Sequence, residues 1–165
     1  MLPLTLLAVQ KVASLLTANN ALSQQIAAAG QAASLVLPII QAGQVVLTAT
    51  SPDIGDRDVE LTYPRICLYS TGLKNNQGEK CRTLSGTATV VAEVWASATL
   101  VGDADRAIHF YVDAVTNILR QNLGDWSDGV FFPGVYDIQF QAPKPGGFGF
   151  VESAKITVGL LVSRN

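Results

Sequence analysis

The chain has 165 residues, 48% of them hydrophobic and only 15% charged, with a formal net charge of −2 and a pI of about 5.2. That length and apolar content suffice for one domain with a real core, and the weak negative balance excludes a global basic field that would hold nucleic acid by counterion release. So low a charge content favours a subunit that buries part of its surface against a partner.

The opening stretch MLPLTLLAVQKVASLL is apolar, but no basic residue precedes it and Lys11 interrupts it, so a secretion signal is not expected. No later stretch is long and apolar enough to span a bilayer, and a soluble, unprocessed protein without membrane contact is expected. Leu4, Leu7, Val12, Leu15 and Leu16 fall on one side of a helix reaching about Thr17, with Pro3 tolerated at its first turn and Asn19 and Asn20 stopping it. A second helix is predicted in ALSQQIAAAGQAASLVL, with a weak stripe of Leu22, Ile26 and Ala29. Gly30 is a candidate break in it and Pro38 its end or bend.

QVVLTAT reads as a short strand and SPDIGDRD as a flexible connection. VELTYPRICLYS is a second strand whose Pro64, lacking a ladder donor, belongs at the strand's start or on an exposed edge. A hairpin loop, TGLKNNQGEK, leads into the strand RTLSGTATVVAEVWASA. Val90, Ala92, Val94 and Ala96 alternate toward the core, and Thr89, Val91, Glu93 and Trp95 face the other way.

After the turn LVGDAD comes the strongest helix signal, a buried stripe of Ile108, Tyr111, Val112, Val115, Ile118 and Leu119. Asp103 is the expected N-cap, with Asp105 in the first turn, Arg120 near the end and Gly124 just beyond it. VYDIQFQ and SAKITVGLLVSR alternate as two more strands, the second burying Ile156, Val158, Leu160 and Val162. Between them APKPGGFGF should form a protruding arm or long hairpin. The order predicts one α+β domain over residues 1–165: a helical N-terminal part, 1–50, and a sheet with its packing helix, 59–165. The sheet would be antiparallel, with about four or five strands, covered on one face by helices and joined by long loops.

Residues with catalytic potential are sparse. His109, the single histidine, lies in the long helix with no second histidine to complete a metal site, so a packing or surface role is expected. A Cys67/His109 dyad is conceivable in space but carries no signature, and Cys67 and Cys81 are too few for a disulfide framework, although a hairpin could bring them together. Helix-end and turn roles account for Asp103/Asp105 and Asp125/Asp128. KPGGFGF lacks phosphate-loop spacing, and its Gly146, Gly147 and Gly149 serve flexibility or close backbone approach. No catalytic, cofactor or metal site is predicted, and the chain is expected not to be an enzyme; a soluble enzyme or small-ligand domain is the alternative.

Two surface features remain. Lys74, Lys80 and Arg82 give the loop KNNQGEKCR a basic side that a polyanion could meet, though a solvated loop is the ordinary reading. Trp126, Phe131, Phe132 and Tyr136 read mainly as core, whereas Phe148 and Phe150, with Lys144 nearby, sit where little core is available and are candidates to enter a partner's pocket.

YPRICLYS, then TVVAEVWASA, LVGDAD, RAIHFYVDAVTNILRQN and a final pair of strands resemble the tail-terminator proteins of long-tailed phages, also described as minor tail or tail-completion proteins. The likeness rests on Pro64 in the first sheet strand, Val94 and Trp95 near the end of the next, and Asp113 to Val115 in the helix; it spans residues 59 to 123 and more loosely the last strands. It implies a virion protein assembled in the host cytoplasm. Copies would close into a homohexameric ring on the last ring of the tail tube, ending polymerisation and joining tail to head. Its partners would be itself, the tail tube protein and a head-completion or neck protein; if DNA passes through the lumen of such a ring, Lys74, Lys80 and Arg82 are the residues to meet it. The segment 21–37 and the arm 141–150 look longer than in shorter members, and another neck or tail-tube ring subunit is the second reading.

Overall fold

The computed structural model describes residues 2–48, 62–75 and 84–164. Among them are three α-helices, α1 (Leu4–Thr17), α2 (Ala21–Ala33) and α3 (Val101–Gln121), and eight strands: β1 (Val45–Val46), β2 (Arg65–Lys74), β3 (Leu84–Ala98), β4 (Gly124–Asp125), β5 (Val130–Phe132), β6 (Tyr136–Phe140), β7 (Lys144–Gly146) and β8 (Gly149–Arg164). The α+β class holds. The sheet has more strands than the expected four or five because one edge is segmented: β5, β6 and β7 follow one another along β8, broken at Pro133 and Pro143, which supply no N–H to a ladder.

The sheet order is β1-β2-β3-β8-β5-β4, with β6 and β7 also on β8, and every pairing is antiparallel except the short parallel contact of β1 with β2. β3 and β8 are in register from Leu84↔Arg164 to Ala98↔Phe150. Opposed residues share a face, so Val90, Ala92, Val94 and Ala96 line up with Val158, Ile156, Ala154 and Glu152 beneath the helices. The alternation predicted for both strands is therefore observed, and its apolar members are fully buried.

α1 and α3 pack on this face and α2 lies against both helices. All six residues of the α3 stripe are buried; each fully buried Ile, Leu or Val contributes about 1.5–3 kcal/mol relative to exposure. The small Ala88, Ala92 and Ala96 of β3 are buried under the helices, which suits the close approach of a helix to a sheet.

Several boundaries move. Asn19 and Asn20 do end α1, both in the left-handed region at φ 49° and 56°. α2 is not divided at Gly30 and does not wait for Pro38. Ser34 at φ 53° terminates it, Ser34 N–H bonding Gln31 and Leu35 N–H bonding Gly30, so that two of the last free carbonyls are satisfied. The strand expected in QVVLTAT shrinks to Val45–Val46. β2 begins directly after Pro64, as expected of a proline, but runs on through Lys74 into the predicted hairpin loop, with an irregularity between Ser70 and Gly72. The proposed connection 51–58, with Cys81, Lys80 and Arg82, lies outside the described residues.

α3 starts earlier than predicted and absorbs VGDAD. Leu100, extended at ψ 138°, is the N-cap and its carbonyl accepts from Asp103 and Ala104; Asp103 thus sits inside the first turn, where the dipole favours its charge, and is not the cap. The C-cap is Asn122, whose side chain donates to Ile118, and Gly124 belongs to β4. Strands β4 and β5, unforeseen in DWSDGVFF, form a hairpin through Ser127, Asp128 and Gly129, all with positive φ.

Candidate interaction surfaces

The segment 141–150 is not a free arm. β7 folds back on the start of β8, and the turn between them lies against the end of β3: Phe148 N–H donates to Ser97 Oγ at 2.8 Å. Gly147 has φ 54°, and a Cβ there would stand 2.3 Å from Ser97 Oγ. The glycine therefore serves close approach, the second of the two roles its sequence allowed. Phe148 and Phe150 part company. Phe150 lies in the first, turn-proximal residues of β8 and is half-buried, whereas Phe148 is 65% exposed, touched edge-on by Tyr63 at 6.4 Å. Lys144 places its Nζ 5.4 Å from the Trp95 ring centroid, a cation–π contact.

Around Phe148 runs a groove of about 370 Å³ whose walls include Leu37, Tyr63, Ala96, Arg106 and Tyr111. Its far wall is the extended segment after α2, fixed by the Tyr111 hydroxyl, which donates to the Pro38 carbonyl at 2.8 Å. Val36 is exposed in its wall, and the mainly apolar lining carries two opposite charges, Asp103 and Arg106. Burial pushes the Tyr111 phenol up, and it stays a hydrogen-bond donor.

The opposite end carries a second concavity, about 570 Å³, lined by Gly86, Asp125, Asp128, Phe131 and Leu161 among others. Phe131 and Leu161 are opposed across β5 and β8 and are 44% and 45% exposed. Asp128 is paired with Lys11 at 2.6 Å, tying α1 to the β4–β5 turn, while Asp125 accepts from Ser127 N–H. Trp126 and Phe132, grouped with Phe131 in the sequence, pack on one another 5.3 Å apart.

The sheet face away from the helices is partly covered as well. Cys67, Trp95 and Val151 form a small buried cluster with Tyr63 packed on it. Arg65 Nε and Trp95 Nε1 are buried there without a hydrogen-bond partner among the described residues. Burial pushes the Cys67 thiol up, opposed by the Arg65 guanidinium, which makes it a poor nucleophile. Tyr69 donates to Glu93 at 3.0 Å and is pushed up to about 12, first by burial and then by that bond.

His109 is exposed on α3, 3.9 Å from Asp105 and in tilted contact with Phe140, ring centroids 4.4 Å apart. Cys67 faces the other side of the sheet, so the two do not form a dyad. Asp105 also neighbours Glu152, which is only 4% exposed on the helix-covered face. Burial and then the Asp105 charge raise the Glu152 carboxyl above its ordinary value. Lys74 is exposed on the β2–β3 hairpin; its expected companions Lys80 and Arg82 are not among the described residues. No described helix is long and apolar enough to cross a membrane.

Sequence reasoning missed Phe131, Leu161 and Arg106. The signal was present for two of them: in VFF and LLV three apolar residues run consecutively along a strand, which forces the middle one onto the face opposite its neighbours. These elements define an α+β domain, an open sheet braced by helices, with an apolar surface at each end. Comparison with protein-family models and with curated proteins gives no match for this chain.

Proposed function

We propose that the chain is a structural subunit of a ring at the head-proximal end of a long-tailed phage tail, where it stops tube growth and joins tail to head or neck. The observation that carries this reading is the pairing of a rigid sheet-and-helix platform with two separate exposed apolar surfaces, at Phe148 and at Phe131 and Leu161. A subunit of a closed ring needs two such surfaces, one for each neighbour. The resemblance of residues 59 to 123 to tail terminators points the same way.

The exposed end of the β2–β3 hairpin, from Thr71 to Asn75, favours a second reading, a tube or neck subunit that stacks ring on ring. Adding purified protein to preformed tail tubes separates the two. A terminator caps tubes and leaves their length fixed, and a tube subunit lengthens them. Tubes that neither bind the protein nor change length would refute both. Neutralising Lys74, Lys80 and Arg82 together tests the DNA contact, and unchanged genome retention would remove it.

A further inference from the structure

We infer that Arg65 and Trp95 form a binding site for a carboxylate group on the sheet face away from the helices. The two residues are opposed across β2 and β3, and opposed residues share a face with their Cβ atoms about 5 Å apart. Arg65 is 9% exposed and Trp95 6%. Arg65 Nε and Trp95 Nε1 are both buried without a hydrogen-bond partner among the described residues. Each group can only donate, so neither can satisfy the other. A buried N–H without an acceptor costs free energy, more so on a cation, and one acceptor group with two oxygens relieves both donors at once.

The charges around the pair define the ligand. The ion pairs among the described residues, Lys11–Asp128 and His109–Asp105, do not include Arg65. Cys67, two residues along the same face of β2, supplies no countercharge, because burial keeps its thiol neutral. Glu93, opposite Cys67 on β3, already accepts from the Tyr69 hydroxyl at 3.0 Å and has Lys155 opposite it on β8. One permanent guanidinium charge beside a neutral indole donor suits a planar monoanion, with an oxygen for each N–H, better than a phosphate dianion. The surroundings are largely apolar: Trp95 and Cys67 are buried with Val151, and Tyr63 packs on them. In such a setting a charge-assisted hydrogen bond is stronger than in water. The two side chains described over the cluster, Tyr63 and Lys144, are themselves partly exposed, Lys144 Nζ lying 5.4 Å from the indole centroid. The inference does not depend on the tail-end reading.

The test observes the two N–H groups directly. In proton–nitrogen correlation spectra of the full chain at neutral pH, the Trp95 indole and Arg65 Nε–H signals are assigned with Trp95→Phe and Arg65→Gln. They are then titrated with sodium acetate, against sodium chloride at equal ionic strength. Both should move downfield along one saturating curve, with a Kd on the order of 1 mM, as expected of a small ligand held by a few contacts. The Trp126 indole, which already donates to the Asn122 carbonyl at 2.6 Å, should not move. Trp95→Phe, read from the Arg65 signal, should weaken acetate binding roughly two- to tenfold, and Arg65→Gln, read from the Trp95 signal, by more. If Arg65→Gln does not fold, Trp95→Phe alone decides. A blocked tripeptide with a central aspartate distinguishes the sources: saturation of the same signals points to a protein side chain, and a response to acetate alone to a small free acid. Static signals would leave water as the acceptor and overturn the inference. So would equal shifts with chloride, tighter binding of phosphate than of acetate, or unchanged affinity in Trp95→Phe.

Discussion

Tyr111 on α3 reaches back 73 positions to Pro38, its hydroxyl 2.8 Å from the proline carbonyl. One bond thereby fixes the segment after α2 as a wall of the Phe148 groove. Because Pro38 is exposed, its carbonyl can take water when the bond is lost, and Tyr111→Phe should cost about 0.5–1.5 kcal/mol. In a chain of this length that lowers the melting temperature by roughly 2–4 °C per kcal/mol. Amides of residues 34–41 should exchange faster while those of β3 do not change. Unaltered exchange in 34–41 would show that the bond does not hold the segment.

Among the described glycines, Gly129 leaves the least room for a side chain. At φ 76° a Cβ on it would lie 2.2 Å from the Ser163 carbonyl oxygen, and Ser163 N–H donates to Gly129. Backbone cannot swing aside as a side chain can. Gly129→Ala should therefore cost at least about 2 kcal/mol, from the left-handed conformation and the clash together, and should open the Phe131 groove. Chemical denaturation showing less than half that loss would mean the turn has other conformations available.

Glu152 sets a pH dependence. Burial and the nearby Asp105 raise its carboxyl above the ordinary 4.5, partly opposed by His109. The folded chain then holds this proton more tightly than the unfolded chain. Stability is complete below the unfolded value and declines as pH rises through the folded one. Glu152→Gln removes that decline: it should melt higher than the parent at pH 8 and no higher at pH 4. Equal melting at pH 8 would contradict the assignment.

Trp95 is buried with its indole N–H unpartnered among the described residues. Its contribution is packing, so Trp95→Ala should cost about 3–5 kcal/mol, whereas Trp95→Phe, which also removes the unpaired donor, should cost much less. Calorimetry on the two variants checks this, and similar losses would mean that the N–H matters.

Periodicity carried most of the architecture. The α3 stripe and the alternation of β3 and β8 were legible because burial on one face demands an apolar residue at every helical or strand repeat, from Ile108 to Leu119 and from Val90 to Ala96. Caps were less legible: Leu100 caps α3 through its backbone alone, without the side-chain signature that pointed to Asp103. The short strands β4, β5 and β7 escaped because two or three residues are too few to show a period. For the surfaces, Phe148 was visible as an aromatic among glycines, but the concavity at the other end was not, since Gly129, Phe131 and Leu161 meet only through strand pairing.

The ladder between β3 and β8 joins residues 52 (150 − 98) to 80 (164 − 84) positions apart. Every rung must close a long loop, which makes this step slow relative to forming α1, α2 or α3. On the ribosome, β3 emerges with one side bare and stays so until residues 149–164 have been made. Leu161 arrives with that same stretch, so the concavity it lines with Phe131 does not exist on a partial translation product. Timing is thus written into chain order: the central ladder of the sheet cannot close before residues 149–164 have been made.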